Sequence, residues 1–141
     1  MLIELDYKDR RPIYEQVTEK LEGMILVGVL QEDSQLPSVR NMAVALSINP
    51  NTIQRAYAEL ERKGYIYSVK GKGSFVADSS RLRVLRQEEA CGRLREASRE
   101  AAILGVPRER ILDEAAAGGD SAEKRTGGYG NDCSGRSDQT L

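Results

Sequence analysis

The sequence predicts a mainly α-helical fold with one small β-hairpin, and three observations lead to this class. Two short segments of helical periodicity are separated by a tight connection, and the second segment opens on Asn49-Pro50. Two β-prone triplets then flank a glycine-rich stretch at 70–73, and a charged helical segment follows them. This order of elements predicts a winged helix-turn-helix that continues into a short helical appendage.

The first predicted helix begins at Pro12 and ends near Val27. Proline is tolerated at the first helical position, because its missing N–H would have no partner there. Apolar residues recur at helical spacing and predict a buried face made of Ile13, Val17, Leu21, Met24 and Ile25. The charged residues between them are expected to face solvent, namely Glu15, Glu19, Lys20 and Glu22.

Both helices of the predicted helix-turn-helix start on residues that can cap a helix. Ser38 is the expected N-cap of the first, since its hydroxyl can accept a hydrogen bond from an early backbone N–H. Asn49 is the expected N-cap of the second, with Pro50 at the first helical position. This second helix is expected to end at Gly64, and its apolar stripe consists of Ile53, Ala56, Tyr57 and Leu60.

The hairpin is predicted over residues 65–76, with a basic tip at Lys70-Gly71-Lys72-Gly73. We expect the aromatic residues of this region to pack in the core rather than to stack on bases, namely Tyr57, Tyr65, Tyr67 and Phe75. Lys63 is expected to be solvated, as most lysines are.

A helix over residues 81–104 and a further short helix opened by Pro107 form the predicted appendage. The longer helix carries a narrow apolar stripe, for which we expect a role in dimerisation: Leu94, Ala97, Ala101 and Leu104. The predicted organisation is a winged helix-turn-helix over 10–78 and a helical dimerisation region over 79–117. Residues 118–141 are rich in glycine and polar side chains, which predicts a disordered tail.

The types of residue present exclude most enzymatic chemistry. The chain has 141 residues and no histidine, so a Ser/His or Cys/His nucleophile pair cannot form. Cys91 and Cys133 cannot make a four-ligand zinc site by themselves, and we expect them to be free thiols. We therefore expect a protein that is not an enzyme and that uses neither a metal nor a cofactor.

The net charge of −1 hides a basic block in the middle of the chain. Residues 1–33 contain four basic and eight acidic side chains, and residues 78–141 contain 11 and 12. Residues 34–77 contain six basic and two acidic side chains, which is a net charge of +4. A polyanion would bind this block.

The sequence predicts no association with a membrane. The longest apolar run, from Met24 to Leu30, is interrupted by Gly28 and is too short to cross a bilayer. The first residues include acids and no long apolar stretch, so we expect no signal peptide and a cytoplasmic protein.

A winged helix-turn-helix with a basic hairpin suits double-stranded DNA. Its second helix presents its first turns to base edges in the major groove, and the hairpin tip follows the phosphate backbone or enters the adjacent groove. Here Asn51 and Gln54 carry amides that pair well with adenine, and Thr52 offers a hydroxyl. Arg40 and Arg55 supply cations close to these groups.

Two stretches of the sequence resemble the GntR family of bacterial transcription regulators. Residues 36–76, LPSVRNMAVALSINPNTIQRAYAELERKGYIYSVKGKGSFV, are similar to the family's DNA-binding domain. Residues 11–30, RPIYEQVTEKLEGMILVGVL, resemble its first helix and the loop that follows. The short remainder is similar to the YtrA-like subfamily, in which a small helical appendage mediates dimerisation.

The resemblance implies DNA contacts in two places. On the helix-turn-helix they are Arg40, Asn49, Asn51, Thr52 and Gln54, with Arg55 as a further candidate. On the hairpin they are Lys70 and Gly71, with Lys72 as a further candidate. Ser38 and Asn49 are expected to cap helices and to contact phosphate as well, since the two roles are compatible.

These observations predict a dimeric, sequence-specific DNA-binding regulator, and more specifically a repressor. A two-fold dimer would bind a palindromic operator whose half-sites lie about one helical turn, or a multiple of it, apart. Two alternatives stay open: a winged-helix module for protein interaction, and an effector-responsive sensor with a small ligand site between the C-terminal helices. The chemical identity of any effector stays open as well.

Overall fold

A computed structural model describes residues 3–126 of the chain. The elements, in chain order, are α1 (Ile13–Leu26), α2 (Val39–Leu46), α3 (Pro50–Lys63), β1 (Ile66–Val69), β2 (Gly73–Val76), α4 (Ser80–Ile103) and α5 (Arg108–Thr126). The chain divides into two compact units, with the boundary between Val84 and Leu85 inside α4. The predicted fold class, mainly helical with one hairpin, is confirmed.

The core of the first unit lies between α1, α2, α3 and the hairpin. The predicted stripe of α3 is fully buried, and Val17, Leu21 and Ile25 of α1 pack into the same cluster. Glu22 differs from the sequence prediction, because it is buried, with a 2% exposed side chain, instead of facing solvent. Its carboxylate accepts a hydrogen bond from Nζ of Lys63 at 2.8 Å, so Lys63 is an ion-pair partner and not a merely solvated lysine.

The predicted helix starts and stops are present in the structure. The Ser38 hydroxyl accepts from the Asn41 N–H at 3.1 Å, and Oδ1 of Asn49 accepts from the Asn51 N–H at 2.8 Å. Gly64 ends α3 with a φ of 88°, a conformation that glycine adopts without strain. Ser47 ends α2 in the same left-handed region, with a φ of 54°. The turn between α2 and α3 is therefore tight.

The hairpin pairs in antiparallel register, with Tyr67 opposite Phe75. The segment of residues 33–36 pairs with β2 like a short third strand, since the Leu36 N–H donates to the Ser74 carbonyl at 2.9 Å. Tyr57 and Tyr65 are buried as predicted. Tyr67 is not, because its ring stacks on Phe75 at the surface and its hydroxyl donates to Asp33 at 2.8 Å.

The second unit contains the greater part of α4, a turn at Gly105 and α5. The structure differs here from the sequence prediction, because α5 continues through residues 118–126, which were expected to begin a disordered tail. The helix continues through Gly118 and Gly119, which cost about 1 kcal/mol each relative to alanine, after three alanines that favour the helix. Residues 127–141 of the predicted tail, with Cys133, lie outside the described residues, whereas Cys91 is an exposed free thiol on α4.

None of the helices described between residues 3 and 126 combines the length and the apolar character needed to cross a bilayer.

Candidate nucleic-acid interface

The first two turns of α3 carry three polar side chains outside the buried stripe. Asn51 and Gln54 are exposed, and Thr52 is half-buried. Because a helix turns by about 100° per residue, Asn51 lies on the face opposite the stripe, and Thr52 and Gln54 lie on its two flanks. We call Asn51, Thr52 and Gln54 the reading face; the structure brings these three predicted residues together at one end of α3.

The two capping residues stand directly before α2 and α3. Ser38 and Asn49 are exposed, and each uses a side-chain oxygen to satisfy a backbone N–H of the helix that follows it. A helix N-terminus also attracts anions, because its first N–H groups and its dipole carry partial positive charge. The capping prediction is confirmed for both residues, and their contact with phosphate stays a prediction.

The two candidate arginines stand in different surroundings. Arg40 is exposed in the first turn of α2. The guanidinium of Arg55 lies over the ring of Tyr14 in α1, with its central carbon 3.8 Å from the ring centroid. Such a cation–π contact restrains a long side chain and leaves its N–H groups able to donate elsewhere. This contact could not be predicted from the sequence, since Tyr14 and Arg55 are far apart in the chain.

The tip of the hairpin carries two exposed lysines on a glycine turn. Lys70 and Lys72 are exposed on either side of Gly71, whose φ is 77°. The Lys72 N–H donates to the Val69 carbonyl at 3.0 Å and closes the turn. We call residues 70–73 the wing tip. Gly71 has no Cβ, and nothing lies within 4 Å of the point that a Cβ would occupy, so a phosphate could approach the backbone closely there.

The acidic residues of the basic block are engaged with neighbouring side chains. Glu59 forms an i,i+3 ion pair with Arg62, and this hydrogen bond holds the pKa of the Glu59 carboxyl below its usual value. Glu61 accepts a hydrogen bond from the Ser68 hydroxyl at 3.2 Å. Arg40, Lys70 and Lys72 are exposed, so their positive charge is open to a polyanion.

Comparison with known proteins places this arrangement in a family. A family model described as bacterial regulatory proteins of the gntR family matches residues 13–76. A solved GntR family transcriptional regulator from Listeria monocytogenes is 35% identical, with a TM-score of 0.66 over 79% of this chain and 98% of that one. The chain belongs to the GntR family.

Other GntR-type relatives extend the comparison. The HTH-type transcriptional repressor YtrA of Bacillus subtilis (strain 168) is 36% identical over 80 residues, which are 57% of this chain and 62% of that protein. A solved transcriptional regulator from Oenococcus oeni is 32% identical, with a TM-score of 0.68 over 80% of this chain and 95% of that one. The chain spans less than two thirds of the length of the first curated relatives that it matches.

The side chains that the structure describes do not assemble a metal-binding group of His, Cys, Asp and Glu within residues 3–126. The chemistry of the interface of this GntR chain is that of amides, hydroxyls, backbone N–H groups and cations. These groups recognise base edges and phosphates through hydrogen bonds and charge.

Proposed function

We propose that this GntR-family chain binds double-stranded DNA through α3 and the wing tip and represses transcription. We also propose that it is not an enzyme. One observation carries the proposal. Asn51 and Gln54 of the reading face are exposed at the start of α3, as are a cation on α2 and two on the wing tip. Its place of action would be the cytoplasm, where bacterial DNA lies.

The proposed contacts divide into two kinds. Asn51, Thr52 and Gln54 are the base readers, because amides and hydroxyls discriminate between base edges in the major groove. The phosphate contacts are Ser38, Arg40, Asn49, Arg55, Lys70, Gly71 and Lys72, since cations and backbone N–H groups bind phosphate without regard to sequence.

We also propose that the chain is a homodimer through its second unit. Leu94 and Leu104 are exposed, as are Ile103 and Leu112, while Ala101 is half-buried. Four exposed aliphatic side chains in one small helical unit favour association with a second copy of the chain. A two-fold dimer would then present two reading faces to a palindromic operator.

The decisive experiment is to sequence the fragments of the source genome that the protein retains, and then to titrate one such fragment. We expect tight binding to fragments with an inverted repeat and a steep fall of log K with log salt. The slope should be roughly −0.9 for each phosphate that is neutralised. Equal affinity for retained fragments and for random duplex would contradict the proposal.

Two single variants separate base reading from phosphate contact. Gln54→Ala should change which operator is preferred, whereas Lys70→Ala should weaken binding on all sequences alike and lower the salt slope by roughly one. Lys20→Ala is the matched control, since Lys20 is an exposed lysine on α1. An effect of Lys20→Ala as large as that of Lys70→Ala would contradict the assignment of the wing tip.

A further inference from the structure

The side chain of Gln35 reaches from the segment before α2 to the wing tip. Its Nε2 donates to the Lys72 carbonyl at 2.7 Å, across 37 positions of the chain. The same nitrogen lies 3.0 Å from the point that a Cβ on Gly73 would occupy. Gly73 has a φ of 117°, a conformation that side chains rarely adopt. The amide of Gln35 is therefore seated directly against the turn.

The backbone that carries Gln35 is itself fixed to the hairpin. The Asp33 N–H donates to the Val76 carbonyl at 2.8 Å, and the Val76 N–H donates to the Ser34 carbonyl at 2.9 Å. Gln35 forms a β-bridge with Phe75, and the next residue, Leu36, is buried. The backbone of Gln35 is thus fixed to β2 beside Phe75. Its side chain holds Lys72, which directly precedes the first residue of that strand.

The wing tip needs such a contact because its own backbone is only lightly restrained. All four residues from 70 to 73 are exposed, and both glycines have positive φ. Glycine has more conformational freedom to lose than any other residue, and ordering a segment on binding lowers affinity. A hydrogen bond to the Lys72 carbonyl orders the turn before any ligand arrives.

We propose that Gln35 is a positioning residue for the wing tip, which holds the backbone from which Lys70 and Lys72 extend towards phosphate. This inference rests on the proposed DNA-binding function. Gln35 acts through the two lysines and not through a base contact of its own. The same segment leads through Pro37, whose carbonyl accepts from the Tyr57 hydroxyl at 2.7 Å, and therefore connects the wing tip to α3.

The first test uses the full chain without DNA. Gln35→Met keeps the length of the side chain and removes the N–H donor. We expect the backbone order parameters of Lys72 and Gly73 to fall from the rigid range, about 0.85, to below about 0.6. Gln31→Met is the control, because Gln31 is an exposed glutamine of the same loop. Unchanged order parameters in Gln35→Met would overturn the proposal whether or not the protein binds DNA.

The second test measures Kd on a fragment that the wild-type protein retains. Gln35→Met should raise Kd about fivefold, the effect expected for one lost hydrogen bond that orders a binding loop. In a chain that already carries Lys70→Ala and Lys72→Ala, it should change Kd by less than twofold. An equal loss in both backgrounds would overturn the proposal, because Gln35 would then act independently of the lysines.

A third variant and a DNA-free readout separate the possible failures. Gln35→Ala should reproduce the result, with circular dichroism and thermal unfolding showing that each variant is folded. If the wild-type chain binds no DNA fragment, the proposed function is wrong. The order parameters then decide by themselves whether Gln35 fixes the turn.

Discussion

Replacement of Lys63 by methionine is expected to destabilise the first unit much more than its place in the last turn of α3 suggests. Nζ of Lys63 lies 2.8 Å from Oε1 of Glu22, and the Glu22 side chain is only 2% exposed. Removal of one partner from a buried ion pair costs about 3–5 kcal/mol, because the other charge stays buried. The Lys63 side chain is 37% exposed, so water already solvates part of it, and we reduce the expected loss to about 2 kcal/mol.

The neighbouring residue offers a matched control. Arg62 forms its ion pair with Glu59 on the surface, where the Arg62 side chain is 68% exposed. Surface pairs contribute only about 0–1 kcal/mol, so Arg62→Met should change the free energy of unfolding by no more than that. The comparison separates the effect of burial from the effect of simply removing a cation near the end of α3.

Urea unfolding followed by circular dichroism measures both variants. In addition, Glu22→Leu combined with Lys63→Met should recover most of the lost stability, because an apolar pair of similar volume replaces the ion pair without leaving a buried charge. A loss below about 0.5 kcal/mol in Lys63→Met would refute the reasoning. So would a double variant that is less stable than Lys63→Met alone.

Three further predictions concern the capping residue, the buried tyrosine and the second unit. Asn49→Ala should lower the free energy of unfolding by about 1 kcal/mol, whereas Asn49→Asp should keep the cap and yet weaken DNA binding, as gel shifts can show. Burial raises the pKa of Tyr57 to about 12, so its neutral form stabilises the fold below pH 10. This contribution to the free energy of unfolding is lost as the pH rises from about 10 to 12. In Tyr57→Phe, urea unfolding at a series of pH values should show a smaller decline over this range. Leu104→Glu should shift the sedimentation profile towards the monomer, and Val27→Glu, an exposed position on the first unit, should not.

The elements that the sequence predicted well depend on local signals. Ser38 and Asn49 each cap a helix by binding an N–H two or three residues further on, and such contacts follow from residue type and spacing alone. The stripe of α3 is equally local, because its members are three and four positions apart. Local signals likewise predict a group of polar side chains at the start of α3, and the contact of these side chains with bases stays a prediction.

The features that the sequence did not predict depend on partners that are distant in the chain. Glu22 has the spacing of a solvent-facing residue, and its ion pair with Lys63, 41 positions away, helps to explain why it is buried. The place of Tyr67 in a hairpin arm likewise predicts packing in the core, whereas its ring stacks on Phe75 and stays exposed. Composition alone predicts that the helical region ends at Ala117, whereas α5 continues to Thr126.

The distant contacts and the reading face use different side chains of the same helix, and this separation has a consequence for the proposed function. Tyr57 and Lys63 connect α3 to the segment before α2 and to α1, while the Gln54 side chain is exposed. A substitution at Gln54 removes no core contact, so it can change base preference at little cost in stability. A substitution at Tyr57 or Lys63 should instead weaken binding to every sequence through the folded fraction. We therefore expect operator preference to change at the proposed reading face without a compensating change in the residues that position it.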